Sequence, residues 1–141
     1  MHRWYSFLFI GIRSLQICPF LTVTKISKGA FSGCTNLESV TITNNIKTIE
    51  PYAFYGTGLT EITVLNPECD FIEDKHIYHP STSSTIISNP SGSFTGTIYG
   101  YESSSAQRYA EKYHMNFVSL GTNPDVTLEI TLGDVNTATP L

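Results

Sequence analysis

The chain has 141 residues, a length that suits one domain or a short array of repeats and is too small for two large domains. Hydrophobic residues make up 40% and charged residues 14%, a composition that excludes a disordered tail and predicts a buried core. The 12 acidic and 8 basic residues give a net charge of -4. Without a cluster of Lys and Arg, nucleic acid is not the expected partner.

The N-terminal segment, residues 1–22, allows two interpretations. Its early positive charge and the apolar stretch from Trp4 to Ile12 resemble the first two parts of a signal peptide. Arg13 ends the stretch, no small-residue cleavage site follows, and the stretch is shorter than the ~20 residues that span a bilayer. Alternatively, the segment takes the place of an upstream repeat, because a regular pattern begins only at Val23. It is left unassigned, and no membrane span is expected.

The three cysteines are Cys18, Cys34 and Cys69, and none of them forms a C-x-x-C pair. An odd number without that spacing predicts neither a disulfide framework nor a zinc site built on cysteine. We therefore expect buried free thiols.

Two segments follow one template: residues 23–42 read VTKISKGAFSGCTNLESVTI and residues 46–64 read IKTIEPYAFYGTGLTEITV. Phe31 and Phe54 are 23 positions apart, whereas Leu37 and Leu59 are 22 apart, so one deletion lies beside Gly58. Apolar residues at fixed offsets with a period in the low twenties are typical of a solenoid, in which each turn buries one edge against the next.

Each turn of this template contains an Ala-Phe pair followed by a strand pattern. Ala30 and Ala53 let the backbone approach, and the Phe beside each fills the space between coils. Apolar residues then alternate with Thr, which predicts a short strand with one buried face, and stacked turns align such strands in a parallel sheet. The residues expected on the exposed face, our candidate binding surface, are Glu38, Thr41, Thr43, Glu61 and Thr63.

The pattern I-x-x-x-A-F-x-x-C/T-x-L-x-x-V-x-I over residues 23–65 resembles the BspA-type leucine-rich repeat of bacterial secreted and cell-surface proteins. The resemblance implies a leucine-rich-repeat solenoid, α/β to mainly β, located outside the cell or on its surface. It also implies a non-catalytic module whose partner is an extracellular protein or a polysaccharide. The usual proline after the strand is replaced here by Thr43-Asn44-Asn45-Ile46, and the second turn lacks the cysteine that matches Cys34.

The residues after Leu65 predict a closing segment for the array. Thr85–Ile87 suggests a brief strand between two loops, and residues 97–101 a further strand. Ser104 and Gln107 form a capping-box pattern, which predicts a helix with one apolar face. Together with a last strand, this stretch resembles the cap that follows BspA-type repeats, so we expect residues 23–121 to be one repeat domain closed by a strand-helix-strand cap.

Residues 122–141 read as a linker, in which Leu132 to Asn136 resembles the opening of a dockerin. A dockerin calcium loop needs oxygen ligands at alternating positions and a glycine for the turn. Thr137 to Leu141 supplies none of these, so no calcium site is predicted and no cofactor is expected.

A catalytic site is not predicted. His76 and His79 lie near Asp70, Glu73 and Asp74, a set that could hold a metal if one loop gathered it, but solvated loop residues are the simpler interpretation. No H-E-x-x-H or G-x-S-x-G motif occurs, so we expect no catalytic residues and no enzyme.

Two functions from different classes remain. The chain is an interaction module that presents the exposed strand residues, or a passive spacer in a multidomain extracellular protein. Tyrosines at 52, 55, 99 and 101 could serve as aromatic platforms for a carbohydrate or a protein, or could pack between coils. A contiguous aromatic or apolar patch on the strand face would favour binding, and scattered Thr and charge would favour a spacer.

Overall fold

A computed structural model describes residues 13–16, 23–74 and 84–125 of the chain. The predicted features at His76, His79, Cys18 and the dockerin-like residues 132–136 lie outside these ranges. The elements within them are β1 (Ser14–Gln16), β2 (Lys25–Ile26), β3 (Ser39–Ile42), β4 (Thr48–Ile49), β5 (Glu61–Val64), β6 (Asp70–Phe71), β7 (Thr97–Gly100), α1 (Ser105–Lys112) and β8 (Asn116–Ser119).

The strands form two parallel sheets between which the chain alternates. In the described part of the chain, sheet A has the order β1-β3-β5-β7-β8 and sheet B the order β2-β4-β6. Each coil adds one strand to each sheet and stacks on the coil before it, so the molecule is the predicted leucine-rich-repeat type of solenoid. β1 lies in the segment left unassigned above, and it pairs with β3 as part of sheet A.

The register between coils follows the offsets read from the sequence. Ile26 pairs with Ile49, and Val40 pairs with Ile62, as the two-segment alignment predicts. The single deletion falls at Gly58, whose N–H donates to the carbonyl of Cys34 at 3.3 Å. A Cβ atom at Gly58 would stand 2.1 Å from the carbonyl oxygen of Thr35, so glycine lets the shortened coil lie close to its neighbour.

The Ala-Phe pairs form a column through the core. The rings of Phe31 and Phe54 are stacked with centroids 5.3 Å apart and planes at 5°. The N–H of Phe54 donates to the carbonyl of Ile86 at 2.9 Å, so Ile86 and Ile87 take the place of the pair in the third coil. These side chains belong to one continuous buried cluster, which also holds the inward residues of both sheets.

The third coil departs from the period because it contains an insertion. Phe71 still pairs with Ile49, and Ile98 pairs with Ile62, but Ile98 is 36 positions after its partner instead of 22. The extra residues lie mainly between Phe71 and Ile86. Of the brief strand predicted at Thr85–Ile87, the structure shows one isolated bridge, between Phe54 and Ile87.

Helix α1 closes the array on the side of sheet B. The Ser104 hydroxyl accepts from the N–H of Gln107 at 3.2 Å, as the capping box predicts, while Gln107 Oε1 accepts from Ser103, one residue before the cap. The predicted apolar face is buried at Ala106, Tyr109 and Ala110. β8 then pairs in parallel with β7, so sheet A gains one more strand whose outward residues are exposed.

Candidate functional site

The outer face of sheet A consists of the residues that point away from the core in β3, β5, β7 and β8. In the first three of these strands burial alternates, with every second residue buried in the core. Because the strands are paired in register, the outward residues form rows across the sheet. The first row is Ser39, Glu61, Thr97 and Asn116, and the second is Thr41, Thr63, Tyr99 and Val118.

Four of the five residues predicted for the binding surface lie on this face or at its border. Glu38 and Glu61 are exposed, and Thr41 and Thr63 are half-buried. Thr43 was expected to be exposed with them, and that expectation is wrong: Thr43 is only 6% exposed, and its hydroxyl oxygen has no hydrogen-bond partner among the described residues.

The reason for the burial of Thr43 is the end of the strand. β3 ends at Ile42, and the N–H of Ile46 donates to the carbonyl of Thr43 at 3.1 Å, which closes a turn. Alternation of side chains between two faces holds only within extended backbone. The strand pattern therefore does not fix the exposure of residues past the strand end: Thr43 is buried, whereas Leu65, at the matching place after β5, is half-buried.

The outer face is apolar at the C-terminal ends of β7 and β8, beyond the first-row residues Thr97 and Asn116. Tyr99 stands between Thr63 and Val118 in the second row, and Val118 is 46% exposed. Leu120 extends the ladder one residue past β8, where its N–H donates to the carbonyl of Gly100 at 2.7 Å, and it is 42% exposed. Leu65 and Tyr101 take the equivalent places after β5 and β7. We call these five side chains the apolar patch: Leu65, Tyr99, Tyr101, Val118 and Leu120.

The four tyrosines named as aromatic platforms separate into two locations. Tyr99 and Tyr101 belong to the apolar patch. Tyr52 and Tyr55 lie on the turn between β4 and β5, where their rings meet edge to face with centroids 5.5 Å apart. The ammonium of Lys28 lies 5.5 Å from the ring of Tyr52, whose hydroxyl is buried, so this side chain packs between coils.

Charge is distributed unevenly over the solenoid. Glu61 is the one charged residue within β3, β5, β7 and β8. Basic side chains pair elsewhere: Lys25 with Glu50 at 3.1 Å, and Lys112 with Glu73 at 2.6 Å. The Lys28 N–H and then Lys25 lower the pKa of Glu50, and the hydrogen bond to Glu73 raises the pKa of Lys112. The outer face of sheet A is therefore weakly acidic.

A scan against protein-family models matches residues 4–101 to the BspA type leucine rich repeat region (6 copies). The chain belongs to this family. The match begins upstream of the repeats that the sequence pattern shows and continues through β7, in agreement with the position of β1 in sheet A. No curated protein and no solved structure matches the chain.

Membership in the BspA-type family indicates a general kind of function. Leucine-rich repeats form a module often used for protein binding, because stacked coils build an extended surface without needing a pocket. Proteins with this repeat are commonly extracellular or attached to the cell surface. Within the described residues, no helix has the length and apolar character to cross a membrane.

Two thiols of this BspA-type array are described, Cys34 and Cys69, and both are buried as predicted. Burial raises the pKa of Cys34, and burial together with the nearby charge of Asp70 raises the pKa of Cys69 to about 12. Because only the thiolate is an effective nucleophile, these cysteines act as small apolar core residues at neutral pH.

Two of the carboxylates considered as metal ligands, Glu73 and Asp74, already contact cationic or hydroxyl groups. Glu73 accepts from Lys112 at 2.6 Å and from the Tyr113 hydroxyl, and Asp74 lies 3.4 Å from the Lys28 ammonium. In the described ranges, no three or more His, Cys, Asp or Glu side chains are placed to hold a metal ion. The arrangement ties the third coil to α1.

A small cavity of about 170 Å³ lies between the loop at residues 92–94 and the C-terminus of α1. Its lining includes Ser84, Phe94, Tyr113 and His114. Sites for small organic ligands usually have volumes of ~300–1,000 Å³, so the size of this cavity suits ordered water between packed elements. The extended face of sheet A remains the stronger candidate for function.

Proposed function

We propose that the chain is a non-catalytic protein-binding module of a secreted or cell-surface bacterial protein, and that the outer face of sheet A contacts the partner. The observation that carries the proposal is the apolar patch. Val118 and Leu120 are exposed, and Leu65, Tyr99 and Tyr101 are half-buried beside them. Apolar side chains that are grouped on one face, as opposed to scattered, are typical of interaction sites. Tyrosine adds rigid contact area with a polar tip, which is why it is enriched at interfaces.

Within this proposal the residues divide into a centre and a polar border. Tyr99 and Val118 occupy neighbouring positions in the second row and form the centre with Leu120. Glu38, Thr41, Glu61 and Thr63 border them on the N-terminal side, as polar residues border the apolar centre of most interfaces. Thr43 is not part of the proposed surface, because it is buried.

The boundaries of the module belong to the same proposal. The capping helix and β8 belong to the folded unit, since Tyr109 and Ala110 are part of the buried cluster. We assign residues 23–121 to the repeat domain with its cap, with β1 as an upstream strand, and residues 122–141 to a linker.

The proposal is tested by selection from a phage-displayed library of random twelve-residue peptides on the immobilised chain. Enriched peptides are synthesised with a fluorophore, and their dissociation constants are measured by anisotropy. Truncating a central interface aromatic commonly costs about 1.4–2 kcal/mol, so Tyr99→Ala should weaken binding by about 10- to 30-fold. Tyr55→Ala is the matched control, because Tyr55 is 44% exposed but lies on the turn after β4.

Three outcomes contradict the proposal. Enriched peptides that bind wild type and Tyr99→Ala equally would place the site elsewhere. Binding of neutral polysaccharides such as xylan, with loss on Tyr99→Ala and no enriched peptide, would replace the protein partner by a glycan. No specific binding to either probe would favour the alternative of a passive spacer. Circular dichroism of each variant checks that the fold is retained.

A further inference from the structure

We infer that the partner presents an extended segment in which an apolar side chain and a Lys or Arg lie two positions apart, and that the basic group is held by Glu61. This inference rests on the proposed function and names the chemistry of the ligand for the same face. It follows from the positions of the carboxylates around the apolar patch and from the spacing of the rows.

The first observation is the isolation of Glu61. Its neighbours in the first row are Ser39 on β3 and Thr97 on β7, which are uncharged. Glu61 is exposed, so its carboxylate is available to a cation from outside the molecule. An exposed charge at the border of an apolar surface adds orientation and association rate more than affinity.

The second observation is that the other carboxylates near this face add further negative charge to it. Glu38 precedes β3, and its Oε1 atom lies 3.8 Å from Arg13 Nε, with both side chains exposed to solvent. Such a pair contributes little to stability and exchanges readily with another cation. Glu102, at the end of β7, is exposed and accepts from the Ser119 hydroxyl at 3.2 Å.

The third observation is the location of the basic side chains. Lys25, Lys28 and Lys112 belong to ion pairs on the side of sheet B and α1, with Glu50, Asp74 and Glu73 as their partners. None of the four strands that form the outer face contains Lys or Arg. Arg13, which precedes β1, is the basic side chain described next to this face, and it lies beside Glu38 rather than beside Glu61. A basic ligand therefore meets a carboxylate at Glu61 with uncharged neighbours on both sides.

The spacing of the rows fixes the ligand pattern. Tyr99 pairs with Thr63, and Glu61 lies two residues before Thr63 on the same face. With ~3.3 Å per residue along a strand and ~4.8 Å between strands, the positions of Tyr99 and Glu61 are ~8 Å apart. Alternate side chains of an extended peptide point to one side with a spacing of ~7 Å. When an apolar residue lies on Tyr99, a Lys or Arg two positions before or after it, depending on the direction of the ligand chain, therefore lies beside Glu61.

The experiment uses the full chain and the same peptide library, selected in parallel at about 50 mM and 500 mM NaCl. We expect peptides enriched at low salt to contain an apolar residue and a Lys or Arg two positions apart, in either order. For the best such peptide, Glu61→Gln should weaken binding about 2- to 4-fold and Glu61→Lys about 5- to 10-fold, because the second change replaces an attraction by a repulsion. Raising the salt concentration should weaken wild-type binding, leave Glu61→Gln less affected, and reduce the difference between Glu61→Lys and wild type.

Glu111→Lys is the matched control, because Glu111 is equally a surface carboxylate but lies on α1. It should leave the dissociation constant within a factor of about 1.5, since charges separated by more than a Debye length are screened. Enriched peptides without basic residues, or peptides that bind Glu61→Lys as tightly as wild type, would overturn the inference. If the binding of these peptides is still weakened by Tyr99→Ala, the proposed function holds without the inference about Glu61. If it is not weakened, the proposed function and the inference both fail.

Discussion

The ring of Phe71 stacks on the ring of Tyr109 with centroids 4.5 Å apart and planes at 17°. Phe71 belongs to the last strand of sheet B and Tyr109 to helix α1, so the helix occupies the place of the next strand. The hydroxyl of Tyr109 bonds to that of Ser84, whose oxygen also accepts from the N–H groups of Ile86 and Ile87. One buried tyrosine thereby joins the cap to sheet B and to the third coil.

Replacing Tyr109 by Phe should reduce stability while retaining the stack on Phe71. The change removes a buried hydrogen bond and leaves the Ser84 hydroxyl with one partner fewer, which corresponds to a loss of about 1–2 kcal/mol in the free energy of unfolding. Urea denaturation followed by circular dichroism measures it. Tyr55→Phe should change the free energy by less than about 0.5 kcal/mol, because Tyr55 is largely exposed. Equal effects of the two changes would contradict this role.

Alkaline pH should destabilise the protein through its buried acids. Burial raises the pKa of Cys69 from 9.0 to about 12, and burial, then the charge of Glu73, raises the pKa of Tyr109 above its usual 10.0. Both groups stay protonated to a higher pH in the folded state than in the unfolded state. Stability is therefore fully present below pH 9 and falls as pH rises from 9 through 12.

Urea titrations at pH 8, 9.5 and 10.5 measure this fall. Cys69→Val should show a smaller loss of unfolding free energy between pH 8 and 9.5, and Tyr109→Phe a smaller loss above pH 10. Tyr55→Phe serves as the exposed control and should follow wild type. A wild-type stability that is constant up to pH 10.5 would show that these groups do not titrate differently in the folded state.

The phenylalanine column should make a large contribution to stability. Phe54 is fully buried and stacked between coils, so Phe54→Ala should lower the free energy of unfolding by about 3–5 kcal/mol, and Phe54→Leu by about 1–1.5 kcal/mol. The milder variant keeps the measurement possible if the first does not fold. Tyr55→Ala, one residue on, should lower it by less than about 1 kcal/mol. A loss for Phe54→Leu no larger than that for Tyr55→Ala would contradict this assignment.

Gly58 should tolerate no side chain. A Cβ atom there meets the backbone oxygen of Thr35 at 2.1 Å, so Gly58→Ala must separate two coils and should reduce stability by about 2–3 kcal/mol. Gly33→Ala is the comparison, because its Cβ would meet open space although φ is +75°. That change should lower stability by about 1 kcal/mol from backbone strain alone. Thermal unfolding distinguishes the two, and the reverse order would show that coil spacing is not the constraint.

His114 offers a stabilising change. The N–H of His114 donates to the backbone carbonyl of Glu111 at 3.3 Å, and the N–H of Met115 donates to the backbone carbonyl of Ala110 at 2.9 Å. This is the pattern of a Schellman motif at the end of α1. His114 has a φ of +54°, which glycine adopts more readily. His114→Gly should raise the free energy of unfolding by about 0.5–1 kcal/mol, whereas His114→Ala, with the same strain, should not. If the urea concentration at the midpoint of unfolding were lower for His114→Gly than for wild type, the backbone conformation at His114 would not be a source of strain.

Local pattern was enough to predict the regular coils. Ile26 and Ile49, and likewise Val40 and Ile62, were matched by their offset in the sequence and are paired in the sheets. The capping residues Ser104 and Gln107 marked the start of α1. These features depend on the period of the chain and on contacts within a few residues, which the sequence states directly. Exposure at Thr43 was mispredicted, because one residue past a strand the alternation no longer fixes exposure: Thr43 is buried, whereas Leu120, equally one residue past its strand, is exposed.

Tertiary structure was needed for the place where the outer face becomes apolar. Tyr99 was visible as an aromatic residue in a strand, but its position beside Thr63 depends on the insertion in the third coil, which breaks the period by a length that no local pattern encodes. Val118 and Leu120 were missed because a helix separates β8 from β7, and the register across that helix follows from how it packs on Phe71. A repeated sequence specifies its own stacking, whereas residues that are distant in sequence and lie outside the repeat become neighbours only through the packing of the whole array.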